Sequence, residues 1–106
     1  MLFVVIREAG EGWDYSRSLR EQDQWPEHAE FMDALTEAGV VVLGGPLGGG
    51  RPHRALQIMD LPDAQDVHAR LADDPWTPTD TLRTASIDPW EVLLTAPETR
   101  ISRRRE

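Results

Sequence analysis

The sequence predicts an α+β domain of order β-α-β-β-α-β built on an antiparallel sheet, and three observations lead there. The chain opens on an apolar, β-branched run, Leu2 to Ile6, which reads as a buried strand. Two stretches, Pro26–Gly39 and Ala64–Ala72, repeat their apolar residues at helical spacing. Between and after them lie apolar runs of strand length, bounded by Gly, Pro and Asp. With 106 residues the chain is long enough for one small domain and too short for two.

Each element has its own local reason. After Leu2–Ile6 comes a polar connection over residues 8–24, long for a compact domain and carrying Gly10, Gly12, Trp13 and Tyr15; loops of that length are often functional. In the first helix Pro26 suits the first helical position and Gly39 the C-terminal cap. Val40–Leu43 reads as the second strand. The glycine-rich turn Gly44–Gly50 follows, and Arg54–Met59 returns as the third strand. Asp63 caps a second helix over Ala64–Ala72, whose Ala64, Val67 and Leu71 face inward. Asp73–Pro78 breaks that helix. The last strand material, Thr84–Ile87 and Glu91–Leu94, is interrupted by Asp88-Pro89-Trp90, and a proline there implies an edge or a bulge. The order is the split βαβ arrangement of a ferredoxin-like domain.

Two helices cover only one face of such a sheet. Yet Leu2, Val4 and Ile6 are as apolar as Phe3 and Val5, and Val40–Leu43 offers apolar groups to both faces. Strands of that kind need a second cover. A second copy of the chain packing sheet to sheet supplies it, so a homodimer is expected.

Composition removes several function classes. The chain has no cysteine, so a disulfide framework, a thiolate nucleophile and cysteine-ligated zinc are all absent. It has no lysine, which removes Schiff-base chemistry and a P-loop lysine. A net charge of −8 repels phosphate backbones and anionic membranes, so neither nucleic acid nor membrane is an expected partner. The Arg103-Arg104-Arg105 run reads as a solvated tail. Arg7 and Glu8 interrupt the opening apolar run too early for a signal peptide, and a cytoplasmic location is expected. The glycine-rich turn lacks G-x-G-x-x-G, and no serine sits in a G-x-S-x-G elbow. His28, His53 and His68 show no tight ligand spacing, so no metal is expected.

His28 is the leading candidate for chemistry. It lies in the first turn of the first predicted helix, on the face shared by Phe31, Leu35 and Ala38. A titratable ring in that stripe is either a hydrogen-bonded core histidine or the acid–base group of a site. Trp13, Trp25 and Trp76 fall in or beside the segments that surround it, as pocket walls or as core anchors. Arg7 and Arg54 stand at strand positions able to hold a carboxylate or phenolate.

In order along the chain stand an apolar strand beginning next to Met1, Pro26-Glu27-His28 opening a helix, Ala38-Gly39 ending it, and Gly45-Pro46 closing the next strand. Then come Asp74-Pro75 with Trp76 behind it and the element Ile87-Asp88-Pro89-Trp90. Over residues 1–95 this succession resembles the YCII-related (YciI-like) family of dimeric α/β-barrel proteins, with 96–106 a polar, arginine-rich tail. The resemblance implies a histidine–aspartate pair at His28 and Asp74 and chemistry on a small molecule without a cofactor. His28 would move a proton, and Asp74 would orient the ring while also capping the turn at Pro75. Trp13, Trp25, Trp76, Arg7, Gly45 and Pro46 are the substrate-binding candidates. One characterised branch removes chloride from a chlorinated hydroxyquinol, so elimination or isomerisation of a small cyclic or aromatic metabolite is the expected reaction. The competing expectations are a non-catalytic binding or interaction module and a cofactor-free oxygenase. The longer Glu8–Gln24 loop and the arginine tail depart from shorter members of the family.

Overall fold

A computed structural model describes residues 1–98. The elements are β1 (Leu2–Ala9), α1 (Trp25–Glu37), β2 (Val41–Pro46), β3 (Arg54–Asp60), α2 (Ala64–Ala72) and β4 (Leu82–Trp90), with a single 3-10 turn at Leu19–Glu21. The strands form one antiparallel sheet in the order β2-β3-β1-β4. This is the ferredoxin-like α+β arrangement the sequence predicts. The arginine-rich run Arg103–Arg105 lies outside the described residues.

Pairing register decides what faces the helices. Val5 stands opposite Gln57 of β3 and Ile87 of β4, and Arg7 opposite Ala55 and Thr84. Because side chains alternate along a strand, Phe3, Val5 and Arg7 share one face, and all three are buried. That face packs on Leu35 of α1 and on Val67 and Leu71 of α2, with Val41, Met59 and Leu61 completing the core. The opposite face carries Val4, Ile6 and Leu56, each half-buried, and Trp90, which is exposed. A β-bulge between Ile6 and Arg7 leaves Ala85 of β4 unopposed.

Helix boundaries follow their caps. Helix α1 starts one residue before the expected Pro26, after Gln24 in a left-handed conformation at φ 64°. It ends as expected at Gly39, where φ is +79° and the Gly39 and Val40 N–H groups donate to the carbonyls of Thr36 and Leu35. Asp63 caps α2 by accepting from the Asp66 N–H at 2.9 Å.

The strands depart from expectation at three places. β1 runs on to Ala9, and β2 starts one residue later than expected but continues through Gly44 and Gly45 to Pro46. β4 is continuous from Leu82 to Trp90: Pro89 pairs with Phe3 instead of interrupting the strand, because an edge position tolerates the missing N–H. The expected strand at Glu91–Leu94 is not formed, and Leu93 and Leu94 are exposed.

Candidate active site

Asp74 is the hub. It follows α2 in a turn, has no exposed surface, and both of its oxygens are engaged. Oδ1 accepts from the Trp76 backbone N–H at 3.0 Å and lies 2.9 Å from His28 Nδ1. Oδ2 accepts from Arg7 Nη1 at 2.6 Å and lies 3.1 Å from His28 Nδ1. Capping and pairing therefore coexist on one carboxylate. Burial works against its charge, but the His28 and Trp76 hydrogen bonds, the His28 charge and the Arg7 hydrogen bond outweigh it, and its pKa lies below the ordinary 3.8.

His28, in the first turn of α1, reaches Asp74 in the turn that follows α2. The imidazole stacks on the Trp76 indole with centroids 3.8 Å apart and planes 10° apart. Trp76 is itself anchored by an Nε1–H donated to the Asp23 carbonyl at 2.6 Å. With Nδ1 held by Asp74, the remaining ring nitrogen is Nε2, and His28 is one of the residues that line a cleft.

That cleft has a volume of about 430 Å³ and lies between α1 and the β2–β3 side of the sheet. A cavity of this size suits a small organic molecule. Its walls are mainly apolar: Trp25, Met32, Val41, Leu43, Ala55 and Leu82. Gly45 and Pro46 line its β2 edge. Polar groups are few, chiefly His28, His53, Gln57, Thr36 and Asp33.

The other candidates are placed as follows. Trp25 and Trp76 line the cleft. Trp13 stands behind them, edge-on to Trp76 at 5.9 Å and stacked on His53 at 4.3 Å. The long polar loop brings it there, held by Gln22, whose amide donates to the Asp14, Arg17 and Ser18 carbonyls and accepts from the Asp14 N–H.

Arg7 differs from the expectation of a ligand-facing cation. It has no exposed surface, and its Nη atoms donate to Asp74, Thr77 Oγ1 and the Leu82 carbonyl. Its phase in β1, shared with Phe3 and Val5, sends it under the helices behind Asp74. Arg54 is exposed.

Gln57 was not singled out from sequence, and Arg7 was singled out for a different role than the pairing with Asp74 that the structure gives it. The available signal was phase. Arg7 continues the buried face of β1, and Gln57 shares the buried face of β3 with Met59. A polar group in an apolar register needs a partner.

No family model and no curated protein sequence matches the chain. Solved structures do match. One is the 5-chloro-2-hydroxyhydroquinone dehydrochlorinase of Burkholderia phenoliruptrix AC1100, in complex with 2,5-dihydroxybenzoquinone. It is 25% identical, with a TM-score of 0.64, over 86% of this chain and 94% of that one. The fold is that of the dimeric α/β-barrel superfamily. Among the described residues no helix is long and apolar enough to cross a membrane.

Proposed function

We propose that this chain is a YCII-related protein that performs cofactor-free acid–base chemistry, an elimination of dehydrochlorinase type, on a small hydroxylated ring. The observation that carries the reading is the His28–Asp74 contact of 2.9 Å at the wall of an apolar cleft. The likeness to a dehydrochlorinase supports the reaction class.

His28 Nε2 takes a proton from a ring hydroxyl, and the oxygen's electron pair becomes a ring carbonyl. The carbon bearing the halogen takes up a proton and becomes tetrahedral. Loss of a second hydroxyl proton then expels halide with its bonding pair, so that hydrogen halide leaves and the ring ends at the quinone level. No external oxidant enters the balance. Asp74 fixes the tautomer with the proton on Nδ1 and stabilises the imidazolium that forms. Arg7 holds the carboxylate in place from behind. A second copy of the chain covers Val4, Ile6, Leu56 and Trp90 on the open sheet face, making the functional unit a homodimer.

The test is chloride release from 5-chloro-2-hydroxyhydroquinone by wild type and His28→Gln under nitrogen. The expected result is release by wild type and a loss of about a hundredfold or more in a folded variant. Equal release by the two proteins would remove His28 from the mechanism.

A further inference from the structure

Gln57 is a buried polar residue of the cleft whose Oε1 has no hydrogen-bond partner among the described residues. It sits in mid-strand on β3, between Val5 of β1 and Gly44 of β2, on the helix-covered face. It is 5% exposed and lines the same cleft as His28. Its Oε1 is buried and accepts no hydrogen bond. Buried carboxamides are ordinarily hydrogen-bonded, so an orphan at a cavity wall is a site for a ligand's donor.

The backbone of β2 leaves space for this side chain. A Cβ on Gly44 would lie 3.1 Å from Gln57 Cγ and 3.1 Å from the Leu56 carbonyl oxygen. Any side chain at position 44 presses on the Gln57 side chain at its Cγ, and so shifts the carboxamide that Cγ carries. The remaining polar groups narrow the ligand class. Among the described residues no arginine lines the cleft: Arg7 lies behind Asp74, which carries the balancing charge. Asp33 adds a carboxylate to the lining, and the Thr36 hydroxyl already donates to the Met32 carbonyl at 2.9 Å. A ligand carboxylate or phosphate finds no guanidinium here, whereas a ring hydroxyl finds an acceptor.

We propose that Gln57 orients the substrate by accepting a hydrogen bond at Oε1 from a ring hydroxyl, and that Gly44 is the position that keeps this carboxamide in place. The substrate class is a flat ring bearing at least two hydroxyl groups and no carboxylate, one hydroxyl serving His28 and the other Gln57. This rests on the reading of the cleft as a substrate site.

The experiment measures binding of four probes by quenching of tryptophan fluorescence: chlorohydroquinone, its two monomethyl ethers, and the corresponding chlorinated hydroxybenzoic acid. Wild type is expected to bind chlorohydroquinone about tenfold or more tightly than the weaker-binding ether, which has lost the donor facing Gln57. The acid should bind more weakly still. In Gln57→Leu the diol and that ether should bind alike. Gly44→Ala, which retains the carboxamide but displaces it, should also reduce the discrimination. If wild type binds no ring at all, the reading of the cleft falls and this proposal with it. If wild type discriminates and Gln57→Leu discriminates equally, only the assignment to Gln57 is overturned. Thermal unfolding of the free proteins provides a second reading. Gln57→Leu should unfold no lower than wild type, because the buried Oε1 it removes has no partner among the described residues, and a lower midpoint would mean that the amide is structural.

Discussion

Two histidines in this molecule lie flat on tryptophans, and one of them also meets a buried carboxylate. His28 stacks on Trp76 at 3.8 Å, and His53 on Trp13 at 4.3 Å, both with planes 10° apart. Both border the cleft. They differ in what holds the ring edge. His28 Nδ1 meets the buried Asp74 carboxylate, itself fixed by Arg7 and the Trp76 N–H. His53 is joined to its surroundings by backbone, its N–H donating to the Tyr15 hydroxyl at 3.1 Å and its carbonyl accepting from Ala9 at 2.8 Å. Stacking orients the plane of a ring. A carboxylate selects the tautomer and stabilises the charge that proton transfer creates.

The largest effect should come from removing that carboxylate. Asp74→Ala leaves the Arg7 guanidinium buried beside an empty position, and breaking such a pair costs about 3–5 kcal/mol. Urea unfolding should show the loss. Replacing both partners, as in Arg7→Met with Asp74→Leu, should recover much of the stability while chloride release stays absent. Recovery of release in the double variant would show that Asp74 has no part in the reaction.

The next effect separates the histidines directly. His28→Gln should lower turnover by about a hundredfold or more, whereas His53→Phe, which keeps a flat ring against Trp13, should change turnover severalfold at most. Equal losses from the two would mean that the stacked environment, and not the Asp74 contact, makes the base.

The sequence shows one side of this comparison better than the other. Helical phase places His28 on the inward face of α1, and Asp63 and Gly39 mark helix ends, because those signals are local. Partnership is not local. Arg7 and Asp74 are 67 positions apart and His28 and Asp74 are 46, so their contacts depend on how α1 and α2 settle on the sheet. The family resemblance supplied the His28–Asp74 pairing, while the place of Arg7 behind it emerged only with the register of β1. Pro89 is read correctly as the mark of an edge strand, but the interruption expected there does not occur, because at the edge it pairs with Phe3 without breaking β4.

The smallest effect tests the same comparison through pH. Burial lowers the pKa of His53 from the ordinary 6.5, with no carboxylate to offset it. As pH falls below 6.5 the unfolded chain therefore takes up the His53 proton first, and stability declines until the folded form protonates too. Asp74 acts lower. Its folded pKa is below 3.8, so its contribution is complete above that value and is lost as pH falls through the folded pKa. Urea unfolding across this range should show a shallow decline below pH 6.5 followed by a steeper one near and below pH 3.8, where Asp14 and Asp80, also lowered, join Asp74. His53→Phe should remove part of the shallow decline and leave the steep one. If the shallow decline persists unchanged, His53 is as well solvated when folded as when unfolded, and the contrast between the two rings rests on Asp74 alone.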